Sequence, residues 1–268
     1  MTTMLKLLKG AQTKVTLAVL ALLLAVGALY YPVASGPYLY DDGFNLFQNK
    51  RLLFDQFSWS ALRDAAASGD AGPLRRPIAM ASFALNYYFA GNTEPYSLKL
   101  TNIALHLITA LGIFLLASQL LFHFNKSEPP SDLTRQRWTA LFITALWALH
   151  PLHVTTVLYA VQRMNGLAGL FTIFSAVVYI KGRERLLRGE IAGLAWAGGA
   201  VVIGGTLATL SKESGALLPV LLLAVELTVF RFQTHAAVPP LARRLLIGLL
   251  VIPTLAIAGY LIYQTFDA

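Results

Sequence analysis

No cysteine occurs in the 268 residues, which excludes disulfides, thiolate nucleophiles and cysteine metal sites. Charge is scarce as well, at 13% of residues, about half the share carried by soluble domains. Acids are the scarcer sign, 13 against 21 Lys and Arg, which leaves a net charge of +8. Internal repeats at solenoid spacing, low-complexity tracts and an HExxH zinc signature are all missing. What is abundant is apolar sequence: 56% of residues are hydrophobic and the mean hydropathy is +0.61. These residues fall in blocks of roughly 18 or more, the length that crosses a hydrocarbon core of about 30 Å. The expected class is an all-α polytopic membrane protein forming one domain over 1–268.

Seven spans are predicted, near Val15–Val33, Ser97–Phe122, Trp138–Tyr159, Gly166–Ile180, Ile191–Leu210, Gly215–Phe230 and Leu245–Tyr263. The first comes after Lys6, Lys9 and Lys14 as a signal peptide would, but it is long and shows no clear small-x-small cleavage site, so it reads as a retained anchor. With the N-terminus in the cytoplasm, the inner segments hold 13 basic and 5 acidic residues and the outer segments 8 of each. The whole net charge then lies on the cytoplasmic face, as the positive-inside rule requires. That distribution accounts for a surplus that would point to nucleic acid in a soluble protein, and nucleic acid is not an expected partner.

This orientation puts one long loop, 34–96, outside the cytoplasm with two tight turns, Ala160–Asn165 and Ser211–Ser214. Within the loop, Ser58–Ala67 reads as a serine-capped helix, Gly69–Pro73 as a turn, and Pro77–Phe89 as an aromatic helix lying in the interface. The Pro-containing stretch Ser127–Asp132 reads as a cytoplasmic connector.

Four outer-face clusters carry ionisable groups, which are costly near membrane depth. Asp41-Asp42 is either a solvated turn before Gly43 or a carboxylate pair set to take a proton from an incoming hydroxyl. Arg75-Arg76-Pro77 suits a phosphate, since guanidinium offers a planar fork of donors, and equally suits an interface anchor. His150-Pro151-Leu152-His153 places two histidines three apart beside a proline that kinks the helix, and Arg163 comes later, near the outer surface. The spacing permits metal ligation but supplies no third ligand; histidines hydrogen-bonded inside the bundle are the alternative. Ser211-Lys212-Glu213-Ser214 is either a paired surface turn or part of a site, with Ser211 placed to cap the next helix.

Taken in order, these motifs resemble a known family. His150-Pro151-Leu152-His153 with Val157, Tyr159, Val161, Gln162, Arg163 and Met164 is similar to the third-helix region of bacterial membrane proteins related to the tetratricopeptide-repeat O-mannosyltransferases of the GT-C glycosyltransferase superfamily. Asp41-Asp42, Arg76-Pro77, Asn102 with His106, and Ser211-Lys212-Glu213 fall where that pattern has its counterparts, so the likeness runs from about Tyr40 to Phe230. It covers the membrane part only: family members usually have a dozen or so spans and a soluble repeat region, against about seven spans and no repeat domain here.

The resemblance implies an inverting transferase that moves a sugar from a polyprenyl phosphate to an extracytoplasmic protein or glycan, in a bacterial inner membrane. Asp41 would be the base and Asp42 the second acid; Arg76, Arg163 and Lys212 would bind the donor phosphate; His150, His153, Glu213, Asn102 and His106 would line the pocket. No cofactor is firmly implied, although adjacent acids near a phosphate can hold a divalent ion such as Mg or Mn. The competing expectation is a non-catalytic membrane module that binds lipid-linked sugar or assists a partner transferase. Transport is disfavoured, because no inverted pair of broken helices stands out.

Overall fold

A computed structural model describes residues 2–124 and 132–266; the predicted connector, except for Asp132, lies outside the described residues. All regular structure among them is helical, and six helices are long and apolar enough to cross a membrane: Gln12–Val33, Pro95–Phe124, Ala160–Leu187, Ala192–Ser211, Glu213–Phe230 and Pro240–Gln264. These match six of the seven expected spans within a few residues at most ends.

The remaining expected span, Trp138–Tyr159, is not one helix. In chain order the α-helices are α1 (Thr2–Tyr30), α2 (Trp59–Ala66), α3 (Pro77–Ala90), α4 (Pro95–Phe124), α5 (Asp132–Ala148), α6 (His153–Leu158), α7 (Arg163–Leu187), α8 (Ala192–Gly199), α9 (Gly205–Ser211), α10 (Leu218–Val225) and α11 (Pro240–Phe266). The predicted third span is therefore α5, a turn at 149–152, and the short α6. Pro151 has no N–H to donate and disfavours helical geometry at His150, so α5 stops at Ala148. The carbonyls of His150 and Pro151 then accept from His153 and Val154 at 3.0 and 3.1 Å, which starts α6 at once. The kink expected at Pro151 is a full break, and the extended backbone at Tyr159 then ends α6 ahead of the turn Ala160–Gln162.

Small residues draw α7 and α8 together. A Cβ on Gly182 would lie 2.8 Å from the Gly193 carbonyl, and a Cβ on Gly193 would collide with the Gly182 carbonyl, so only glycine permits this backbone approach. A π-helical turn, Ala200–Gly204, joins α8 to α9 in one continuous span. α4 lies between α5 and α7.

The long loop packs onto one end of this bundle. Ser58 caps α2 as expected, its hydroxyl accepting from the Ala61 N–H at 3.1 Å. Leu46, Leu52, Ala65, Met80, Phe83 and Tyr87 from the loop share a core with Leu98 of α4 and with Ala160, Val161, Met164 and Leu167 around the start of α7. Burying each large apolar side chain there contributes roughly 1.5–3 kcal/mol, which holds the loop as a layer on the bundle. At the other end, Arg183 and Glu226 are fully buried as an ion pair that also takes the Tyr179 hydroxyl. They are core residues, both counted on sequence among the charges of the inner segments.

Candidate functional site

The two aspartates part company. Asp42 is fully buried. Its carboxylate accepts from the N–H groups of Val161 at 2.7 Å, Leu39 at 3.0 Å and Ala160 at 3.3 Å. Burial pushes its pKa up, opposed by those three bonds and by Lys99. Asp42 is thus a clasp between the loop and the segment ahead of α7. Asp41 is exposed, and its backbone N–H donates to the Tyr159 hydroxyl at 2.8 Å. Tyr40, 92% exposed with φ +35°, turns the chain just before the pair and lays its ring against Tyr159. One carboxylate holds the fold, and its neighbour is exposed to solvent beside the Tyr159 hydroxyl.

Arg163, expected on the donor phosphate, is 1% exposed and held by the protein. Its guanidinium donates to Asn102 Oδ1 at 2.8 Å, Asn86 Oδ1 at 2.7 Å and the carbonyls of Leu98 at 2.9 Å and Ser82 at 3.1 Å. The Phe83 ring lies beneath it at 4.6 Å. These four acceptors are all neutral, and together they tie α3, α4 and α7. Asn102, placed in the pocket on sequence, donates to the Ala160 carbonyl at 3.3 Å and completes the brace.

Arg76 and Glu213 form the second group. Arg75 and Arg76 both have left-handed backbones, φ +57° and +51°, and Pro77 directly follows, barring the ordinary helical region to Arg76. The Arg76 guanidinium bridges both Glu213 oxygens, with Nη2 at 3.0 Å, and reaches Met164 Sδ at 3.2 Å. Gly72, φ +73°, runs over this pair so closely that a Cβ would strike the Glu213 carboxylate. Lys212 is half-buried beside them, and burial together with the Arg76 charge lowers its pKa. Ser211 does not cap the helical turn Glu213–Leu217: its hydroxyl turns back to the Leu207 carbonyl at 2.7 Å.

The histidines divide in the same way. His106 and His153 line a cavity of about 360 Å³ with Trp147, Asn102, Arg163 and Asn165, and Ser214 and Gly215 close it beside the basic turn. His106 stacks on Trp147 at 4.8 Å between ring centres and bonds the Ala148 carbonyl at 3.0 Å, while His153 lies 4.3 Å from the Trp147 ring. His150 is exposed outside the cavity, its Nδ1 accepting from the Leu152 N–H. The Asp42 oxygens accept from backbone N–H groups, which leaves Asp41 as the exposed carboxylate of the pair. Among the described residues, no three His, Asp or Glu side chains gather as a cage.

The segment Tyr159–Met164 links these parts: Tyr159 to Asp41, Ala160 and Val161 to Asp42, Arg163 to Asn102, and Met164 to Arg76. The chain is similar to protein O-mannosyl-transferases. It is 26% identical over 186 residues to protein O-mannosyl-transferase TMTC4 of Homo sapiens, covering 67% of this chain and 25% of that protein. Protein O-mannosyl-transferase tmtc2 of Xenopus laevis is 30% identical over 162 residues, 57% of this chain and 17% of the relative. Protein O-mannosyl-transferase TMTC2 of Homo sapiens is 31% identical over 163 residues, 58% and 17% of the two chains. The matched part is a quarter or less of each of these relatives. No family profile matches the chain, and no solved structure matches it.

Among residues not singled out on sequence, Trp147 walls the cavity, and Ser82 and Asn86 receive Arg163. Lys99 is a further one: it is 2% exposed and donates to the carbonyls of Gly36 and Pro37, both at 2.8 Å. Its presence near the start of a membrane helix was a legible signal.

Proposed function

We propose that this protein is a membrane glycosyltransferase that takes a sugar from a polyprenyl phosphate and transfers it, with inversion, to a hydroxyl of an extracytoplasmic protein or glycan. The reading rests on one arrangement: the Tyr159–Met164 segment holds an exposed carboxylate on one side and a basic turn on the other, with a cavity between α4, α6 and α7 beside it. Similarity to proteins named O-mannosyl-transferases supports the reaction class.

In this mechanism Asp41 accepts the acceptor's hydroxyl proton as its oxygen attacks the anomeric carbon. The bond from that carbon to the phosphate oxygen breaks on the opposite face. Lys212 and Arg76 meet the charge that grows on the departing phosphate, where fixed cations favour the transition state. His106, Trp147 and His153 wall the space for the donor's polar head. Asp42 and Arg163 act through position, fixing the segment that carries Tyr159. The charge asymmetry of the sequence supports a cytoplasmic N-terminus and a site on the extracytoplasmic face; the resemblance adds a bacterial inner membrane as its setting.

A second reading, a non-catalytic module that binds lipid-linked sugar or assists a partner transferase, is favoured by the Arg76–Glu213 pair, which already neutralises one phosphate-binding cation. Purified protein in nanodiscs, given synthetic polyprenyl-phosphate mannose and a hydroxyl acceptor, separates the two. The transferase reading expects turnover that Asp41→Asn reduces about 100-fold or more. Donor binding without turnover supports the module, and full activity in Asp41→Asn removes the base.

A further inference from the structure

On the outer loop, separate from the cavity that holds His106 and His153, lies a polar pocket of about 430 Å³. Its floor is built from buried parts: Met80 of α3 is 1% exposed, and Ser68, 5% exposed, receives the Asn49 side chain on its hydroxyl at 2.9 Å. Its rim carries the amides of Asn45 and Gln48, the cations of Lys50 and Arg51, and the carboxylate of Asp70. Neither the Lys50 amine nor the Arg51 guanidinium has a hydrogen-bond or ion-pair partner among the described residues. Asn45 ties the rim to the acidic pair, its Nδ2 donating to the Asp41 carbonyl at 3.0 Å.

Asp41 therefore stands one turn of chain from a preformed pocket with two unpaired cations against a single acid. Amides that can both donate and accept suit a peptide backbone or sugar hydroxyls, and the surplus positive charge selects an anion. The linked rings of Phe54, Phe57, Trp59, Tyr88 and Phe89 form a bilayer-suited patch outside this pocket, where Phe44 is the one aromatic lining residue. We propose that the pocket docks the acceptor polypeptide and prefers one with carboxylates flanking the hydroxyl to be modified. The assignment rests on the transferase reading for its use of Asp41, but the binding preference it states can be measured without turnover.

The experiment is fluorescence anisotropy of labelled serine- and threonine-containing peptides on the full chain in uncharged phosphatidylcholine nanodiscs, with Asp, Ala or Lys flanking the hydroxyls. The Asp-flanked peptide is expected to bind about tenfold tighter than the Lys-flanked one, the size of two partly exposed charge contacts. The double variant Lys50→Ala/Arg51→Ala should abolish that preference, while Arg63→Ala, an exposed cation of the same loop that does not line the pocket, leaves it intact. Polyprenyl phosphate affinity should be equal in all three proteins. Equal binding of the three peptides, no binding at all, or the same loss from Arg63→Ala overturns the proposal. So does a Lys50/Arg51 effect seen only as attachment to anionic phosphatidylglycerol vesicles, which would assign the cations to lipid headgroups. An intact preference in a protein that transfers no sugar would sink the transferase reading and leave the docking site standing; turnover with no preference does the reverse.

Discussion

Asp41 and Asp42 are adjacent in sequence, yet substitution by asparagine should act on them in opposite ways. In Asp42→Asn the amide keeps a single acceptor oxygen. With that oxygen in the Oδ2 position it retains the bonds from Leu39 and Ala160 and loses the shortest, from Val161 at 2.7 Å; the other rotamer loses two. Either way a buried N–H faces an NH₂ group, and leaving a buried donor unpaired costs about 1–3 kcal/mol. Removing the carboxylate's desolvation, the same burial that raises its pKa, offsets part of this. A net loss of about 2 kcal/mol corresponds to roughly 4–8 °C in melting temperature for a chain of this size. Asp41→Asn changes an exposed side chain whose polar neighbour is the Tyr159 hydroxyl, and an amide can keep that contact, so it should stay within about 0.5 kcal/mol of the parent. Intrinsic tryptophan fluorescence during thermal unfolding in one detergent reads both variants. If Asp42→Asn melts with the parent while Asp41→Asn is destabilised, the division between buried clasp and exposed carboxylate is wrong.

The same contacts have further consequences. Arg163→Lys keeps the charge but cannot span four acceptors, so monodisperse protein on size-exclusion chromatography should fall sharply; unchanged yield and melting would reject the brace. Lys212 has a lowered pKa, and an arriving phosphate raises it, so binding polyprenyl phosphate at a pH between those two values should take up a proton. Calorimetry in two buffers of different ionisation enthalpy measures that uptake, and identical heats in the two would place the phosphate elsewhere. Gly72→Ala combines a left-handed backbone with a clash on Glu213 and should cost about 1–2 kcal/mol and shift the Arg76 pair; a neutral effect on melting and donor affinity would show the pair is not held by this loop.

Hydropathy determined the class and six of the spans, and local pattern the two α-helices of the outer loop. Those properties depend on local composition and on a 3.6-residue or bilayer-length period, so they are written along the chain. Ser58 as a cap and Pro151 as an interruption were legible for the same reason: each acts on backbone a few residues away. The tertiary structure decided which charged residue does what. Adjacent aspartates became one buried clasp and one exposed carboxylate, and Arg163 met four neutral acceptors brought in by α3 and α4. Glu213 closed on Arg76 across 137 positions of sequence. These assignments depend on desolvation and on partners distant in the chain, and neither is a property of the residue's own neighbourhood.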